Sequence, residues 1–251
     1  MIRILKKTVN INWFSQAKRT QILCDIWHHG KNATNQYKEI LANRIRPGMS
    51  VLHAGCGWDK NNVTRPYKDV CEVVGADLDP RVGRQFHSEF HLASLSDLPF
   101  PDNRFDMVVS EYVLEHIKNP IAVLRGLSRV LRPSGRLVVL TPNFYSYKSV
   151  VARFTPYRFH LWVGRIRYGV GREADMYPTY FRCNSIRRFR RLAKASEFRI
   201  VGEHFINNGP TWFEKIPIVF ESFHFFHLLI NYWTWTQQLR CALIVELEKK
   251  E

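Results

Sequence analysis

The sequence predicts an α/β fold built on a mostly parallel sheet wound with helices on both faces. Three observations carry that prediction. Short apolar runs alternate with segments of helical periodicity through residues 47–143, the rhythm of βαβ units. Those runs are continuously apolar, as in strands covered on both sides. The chain has 251 residues, 45% of them hydrophobic, with 17 Phe, 10 Tyr and 7 Trp, which suffices for a large core and excludes a solvated, disordered chain.

The elements follow in order. Residues 12–46 mix polar and apolar side chains at helical spacing, and Arg46-Pro47-Gly48 closes that flank with a turn. Ser50-Val51-Leu52-His53-Ala54 reads as a strand running into Gly55-Cys56-Gly57, where a helix is expected to begin. Glu72–Asp77 is a second strand and Phe105–Ser110 a third, after the turn-rich Leu98–Asn103. Ile121, Leu124, Leu127 and Val130 recur every three residues, marking an amphipathic helix over 119–131. Pro133-Ser134-Gly135 stops it, and Arg136–Thr141 is another buried strand. A basic helix spans 185–195, and residues 198–206 and 240–248 read as a closing strand pair. One domain accounts for the whole: a helical flank (1–46), a ligand-binding core (47–143), a basic covering segment (144–197) and the strand pair with an aromatic helical insertion (198–251).

The formal net charge is +15, from 37 Lys+Arg against 22 Asp+Glu. It is unevenly placed: residues 1–50 carry +7, 51–143 balance to zero, 144–200 carry +10 and 201–251 carry −2. The excess points to an anionic partner for the flanks and not for the core. Five cysteines without a Cys-x-x-Cys pair indicate neither a disulfide framework nor a zinc site. With no signal-peptide pattern in MIRILKKTVNINWF, a reducing cytoplasm is the expected location. Residues 222–239 lack formal charge but include His, Asn, Thr and Gln, so they suit a buried or interfacial helix better than a spanning one.

A strand entering Gly-x-Gly lets a ligand approach the backbone, and an acid ending the next strand, here Asp77, is placed to grip a ribose diol. The dinucleotide fingerprint's third glycine is absent, since Trp58, Asp59 and Lys60 follow Gly57. A ribose-bearing ligand without a pyrophosphate fits these residues better than a nicotinamide or flavin.

VLHAGCG (51–57), VVGADLDP (73–80), DLPFPDNRFDMVVSEYVLEHI (97–117) and LRPSGRLVVLTPN (131–143) together resemble the class I S-adenosylmethionine-dependent methyltransferases, in the broad subgroup that includes ubiquinone- and biotin-pathway enzymes. Four motifs in order over about 90 residues are far more specific than any one alone. The resemblance implies a Rossmann-like, doubly wound, mostly parallel seven-stranded sheet with an antiparallel last strand, and S-adenosyl-L-methionine as cofactor. It implies that His53, Ala54, Gly55, Cys56 and Gly57 line the methionine end, that Asp77 accepts from both ribose hydroxyls and Leu78 packs on the adenine. Ser94 and Leu95 would lie beside the adenine, and Ser110 and Glu111 near the methionine amine and sulfonium. Two positions depart from the family pattern: His53 stands where an acid is usual, and Ser94 where Asp is usual. Glu111 or Asp59 would then supply the missing negative charge. No metal site is expected: Glu115 and His116 are adjacent, about 100° apart on a helix, and His116 suits loop anchoring better. Cys56 reads as a small packed residue.

Acceptor and general base fall in the second half. A hydroxyl acceptor calls for a base, with His160, Glu173, Asp175, Tyr177, Tyr180 and His204 as candidates there. His160 and Tyr177, with Glu111 from the core, are the catalytic set. Residues 173–182 are expected to overhang the cofactor, and similar stretches occur in methyltransferases of surface-glycan and polysaccharide synthesis. Arg187, Arg188, Arg190, Arg191 and Lys194, among aromatics such as Phe154, Trp162 and Tyr168, suit a phosphate-bearing acceptor or an anionic membrane surface. The expected function is methyl transfer to an anionic small molecule, glycan or lipid-linked sugar, on oxygen, by a cytoplasmic enzyme with peripheral contact at the inner face of the membrane. RNA methylation would also use the basic flanks, but no RNA-binding module, Pro-Pro-Tyr or Pro-Cys motif is present. A non-catalytic scaffold of the same fold is the third reading, motivated by His53.

Overall fold

A computed structural model describes residues 32–82, 87–156, 177–208 and 217–251. Its strands are β1 (Ser50–Ala54), β2 (Glu72–Asp77), β3 (Glu89–Leu92), β4 (Phe105–Glu111), β5 (Leu131–Pro142), β6 (Phe198–Ile206) and β7 (Ala242–Lys249). They form one seven-stranded sheet in the order β3-β2-β1-β4-β5-β7-β6. β1 to β5 pair in parallel, and β7 runs antiparallel between β5 and β6. The doubly wound, mostly parallel sheet with its antiparallel last strand is therefore as the sequence implied. β3 was not foreseen, because its four residues, Glu-Phe-His-Leu, carry a charge and a histidine and sit half-exposed at the sheet edge. It makes Phe105–Glu111 the fourth strand.

The helices are α1 (Ala33–Arg44), α2 (Pro120–Val130), α3 (Tyr147–Phe154), α4 (Ile186–Ala195) and α5 (Pro217–Tyr232), with 3-10 turns at Arg65–Tyr67, Leu114–His116 and Thr234–Leu239. Asn32 caps α1 by accepting from the Asn35 amide at 2.8 Å. The helical reading of 12–31 lies outside the described residues. Asn119 caps α2, with Pro120 at its first position. On α4, Ile186, Phe189 and Ala193 turn inward, which leaves Arg187, Arg190, Arg191 and Lys194 exposed.

No α-helix follows the Gly-Cys-Gly turn, contrary to expectation. Asp59 (φ 41°) and Asn62 (φ 52°) adopt left-handed backbone. The Asp59 carboxylate then accepts from the Val63 amide at 2.7 Å, and Pro66 falls within the short 3-10 turn that follows. Left-handed residues two and five positions past Gly57 cannot belong to a right-handed helix.

Alternation along the strands sends side chains to two cores. Leu52, Val74, Val108, Leu137, Val139 and Val245 meet Leu124 and Leu127 of α2 and Phe189 of α4. Val51, Val73, Met107, Val109, Val138 and Ile244 meet Tyr37 and Leu41 of α1 on the opposite face. Tyr37 is fully buried, and its hydroxyl donates to the Val138 carbonyl at 3.0 Å and accepts from the Ser110 amide at 3.0 Å. That contact pins α1 across β4 and β5 beside the strand ends where the loops gather.

Candidate functional site

Between β1 and β4 the chain reverses its direction of travel across the sheet, and beyond the carboxyl ends of these strands lies a cavity of about 760 Å³. Such a switch point is where open α/β sheets bind ligands. Its walls come from Gly55–Asn61 after β1, Asp77–Val82 after β2, Ala93–Leu95 after β3, residues following β4, and Tyr177, Pro178 and Tyr180.

The glycines have separate reasons. Gly55 has φ 71°, and a Cβ there would lie 2.4 Å from Val113 Cγ2, so the turn and the wall exclude any side chain. Gly57 has φ 49° and faces open space, and its amide donates to Asp77 Oδ2 at 2.8 Å. The Asp79 amide donates to Asp77 Oδ1 at 2.9 Å. Two main-chain donors thus aim the carboxylate, and each oxygen keeps a second lone pair for a diol. Cys56 is buried, and burial beside Asp77 pushes its thiol up to about 12, far from a thiolate at neutral pH.

The floor is uncharged where the family pattern has an acid. His53 Nδ1 lies 3.2 Å from Thr64 Oγ1 and 3.3 Å from His87 Nε2. Burial lowers its pKa to about 4 against the attraction of Asp59, so the imidazole is neutral at pH 7. Asp59 reaches the cavity wall, but its oxygens are engaged by Val63, Thr64 and Arg65.

Glu111 lines the same cavity at the end of β4. Its Oε1 accepts from Thr34 Oγ1 at 3.1 Å and from Asn61 Nδ2 at 3.0 Å, and burial raises its pKa above the ordinary carboxylate range. Asn61 belongs to the Gly-Cys-Gly loop, but Thr34 lies 77 residues away and only the fold could reveal it.

Residues 177–183 strap the open side. Tyr177 donates to Asp79 Oδ2 at 2.8 Å, and Asp79 is ion-paired with Arg81. His116 Nδ1 donates to the Pro178 carbonyl at 2.9 Å, the anchoring role expected of it. The amides of Tyr180 and Phe181 donate to the Glu115 carbonyl at 2.7 and 3.2 Å. The Glu115 carboxyl is itself buried, accepting from Thr141 Oγ1 at 3.1 Å, while Asn184 Nδ2 donates to that threonine. Burial holds its pKa up at about 7.

His53, Gly55, Cys56, Gly57, Asp77, Leu78, Ser94, Leu95, Glu111, Tyr177 and Tyr180 all reach the cavity. Ala54 and Ser110 do not. Both are buried in the sheet, where Ser110 Oγ donates to the Ala54 carbonyl at 3.0 Å, so neither side chain is available to a ligand. His204 is misplaced too: it sits on β6, 3.3 Å from Glu246 Oε1 and outside the cavity. The Tyr177 hydroxyl is committed to Asp79 and its pKa is raised by burial and that carboxylate, which suits a latch and not a base. His160, Glu173, Asp175, Trp162 and Tyr168 lie outside the described residues. Val113, Asn61 and Asp79 were missed as wall-builders, although all three fall inside or beside the recognised motifs.

The residues present fit S-adenosylmethionine: a carboxylate oriented for a ribose diol, a glycine cradle that a Cβ would fill at Gly55, and turn amides of Gly55, Cys56 and Gly57 already bonded to Ala76 and Asp77 and so not turned to a pyrophosphate. The family model described as "Methyltransferase domain" matches residues 52–139. A ubiquinone/menaquinone biosynthesis C-methyltransferase of Salmonella arizonae is 27% identical over 176 residues, spanning 65% of this chain and 70% of that protein. Among solved structures, an S-adenosylmethionine-dependent methyltransferase from Mesorhizobium loti superposes with TM-score 0.55 at 14% identity, covering 87% of this chain and 98% of that one. A geranyl diphosphate C-methyltransferase from Streptomyces coelicolor superposes with TM-score 0.55 at 12% identity, covering 86% and 77%. Motifs, sheet order and cavity agree with these likenesses: residues 52–139 match the methyltransferase domain, set in the fold of the class I S-adenosylmethionine-dependent methyltransferases.

Proposed function

We propose that this enzyme methylates a small molecule at an oxygen whose proton passes to Glu111. The observation that carries this reading is the Glu111 carboxylate on the cavity wall. Its two hydrogen bonds both end on Oε1, and among the described residues none reaches Oε2. Burial raises its pKa toward the working range of a general base. S-Adenosylmethionine, when bound, supplies an electrophilic methyl group on a sulfonium. Asp77 and the Gly55–Gly57 turn hold and orient it, Leu78, Ser94 and Leu95 bed its adenine, and Glu111 offers charge near the sulfonium that the neutral His53 does not. The strap of Tyr177, Pro178 and Tyr180 excludes water from the reacting atoms.

The acceptor class is an anionic small molecule, with a phosphate-linked or lipid-linked sugar as its leading form. Support comes from the +10 carried by residues 144–200 and from aromatic faces at Trp58, Tyr112 and Tyr180 against which a ring can stack. Carbon methylation is the second reading, favoured by likeness to a protein named as a quinone-pathway C-methyltransferase. Labelled methyl transfer to phosphate-linked sugars, quinone precursors and RNA decides among them, and the carbon shift of the new methyl separates O–CH3 from C–CH3. Glu111→Gln should lower kcat by roughly a hundredfold or more while cofactor binding persists. Wild-type turnover by the variant would remove Glu111 as the base, and label in RNA alone would overturn the small-molecule reading.

A further inference from the structure

We propose that the outer face of α5, with the 3-10 turn that follows it, is a docking surface for an anionic lipid bilayer. The helix carries apolar side chains on both its buried and its exposed sides. Its inner stripe is Phe220, His224, His227 and Ile230, and the two histidines are 1% and 0% exposed. Its outer side carries Phe225, Phe226 and Tyr232, with Phe225 and Tyr232 seven residues apart on one helix face and Trp233 just past the helix end. Phe225 is 56% exposed, Tyr232 57%, and Trp235 just beyond is 76%. A helix serving only to cover its own core would not leave aromatic side chains this exposed.

The orientation is fixed by packing. Tyr147 of α3 lies against Phe223 at 4.9 Å and His227 at 5.3 Å between ring centroids. His227 Nδ1 donates to Asn207 Oδ1 at 2.5 Å, and Asn207 Nδ2 donates back to the His227 carbonyl at 3.3 Å. Rotating the helix to bury its phenylalanines would break these contacts.

Lipid is the occupant these residues suit. Residues 222–239 contain no Asp, Glu, Lys or Arg, so the face carries no charge to strip of water. Tyr232, Trp233 and Trp235 pair an apolar ring with a polar N–H or O–H, which suits headgroup depth. Charge completes the match. Arg153 of α3 and Arg188 of α4 stack on the Phe144 ring at 3.6 and 4.1 Å, drawing the basic ends of those helices together beside α5's packing partner. Arg187 and Arg191 of α4 are exposed as well, while Arg190 is ion-paired with Glu203. Sixteen helical residues span about 24 Å, and no described helix is long and apolar enough to cross a membrane. The helix would therefore lie in the plane of the interface. This surface stands independently of the role given to Glu111.

The test uses the full chain with vesicles of phosphatidylcholine alone or mixed with phosphatidylglycerol. Expected at low salt are co-sedimentation with the mixed vesicles, a blue shift of tryptophan emission, and release as salt rises. Phe225→Ser/Phe226→Ser and Trp233→Ser/Trp235→Ser should each weaken partitioning by about tenfold or more, with far-UV circular dichroism and S-adenosylmethionine binding unchanged. Three results overturn the proposal. These are wild-type protein left in the supernatant with the mixed vesicles, variants that partition like wild type, and a wild-type dimer that the same substitutions convert to monomer, which would assign the face to a second copy.

Discussion

Asp77, proposed to grip a ribose diol, shows how a single side chain is held in one orientation by its own main chain. The amides of Gly57 and Asp79 each donate to one of its oxygens, at 2.8 and 2.9 Å, so the carboxylate enters the cavity in one orientation. Preorganisation of this kind removes the ordering cost from binding. Asp77→Asn removes the charge and turns one acceptor into a donor facing a main-chain N–H. Affinity for S-adenosylmethionine should fall by about tenfold or more, measured by isothermal titration, with little change in Tm. Unchanged affinity would show that the diol is held elsewhere. Asp77 was readable from sequence because its partner is local, an acid at a strand end 20 residues past a Gly-x-Gly turn. Ser110 was misread for a related reason. Its place in the motif was right, but only the three-dimensional sheet shows that its hydroxyl is turned onto Ala54. Strand direction is a matter of parity, and one residue separates buried Ser110 from cavity-lining Glu111.

At the scale of elements, the 3-10 turn Leu114–His116 joins the end of β4 to the strap. Glu115 does so twice: its carbonyl receives the Tyr180 and Phe181 amides, and its buried carboxyl meets Thr141. Burial raises that carboxyl from 4.5 to about 7, so the folded protein binds its proton more tightly than the unfolded chain does. The sign follows directly. Stability from this proton is fully present below about pH 4.5 and is lost as pH rises through about 7. Glu115→Gln keeps an acceptor for Thr141 and removes the titration. Its stability should match wild type near pH 4.5 and exceed it increasingly toward pH 8, by on the order of 3 kcal/mol at most, read as a rising Tm. A Tm difference independent of pH would mean the carboxyl is ionised throughout. The turn itself was legible as the Leu-Glu-His of a motif, and His116 as an anchor. The strap's landing on it was not, since the sequence separation is 62 residues and nothing in the sequence 177–183 names a partner. The helix expected after Gly57 failed for a local reason, the left-handed Asp59 and Asn62, and Asn62 is a residue type that commonly takes that conformation.

Across the whole molecule, the parallel sheet covered on both faces was legible in its continuously apolar strands, and its seven strands with an antiparallel last one in the family resemblance, while the strand order itself comes from the fold. The edge was less legible: β3 and the outer face of α5 depart from the hydrophobic patterns that mark core elements. Charge behaves in the same divided way. The cofactor-binding stretch 51–143 carries no net charge, while 1–50 and 144–200 hold +17 between them. In the proposed function Asp77 and Glu111 act on a cofactor within the cavity that both line, where mobile ions screen little. The exposed arginines of α4 act across solvent, where screening is strong. Raising salt from about 0.05 to about 0.5 M should therefore change the Kd for S-adenosylmethionine by less than about threefold. The same change should weaken an anionic acceptor, read as KM, by about tenfold or more. Both arms are measurable on one preparation by titration and by initial rates. Equal sensitivity of the two would mean that the basic flanks reach the cofactor end of the cavity, and that the charge division along the chain does not survive folding.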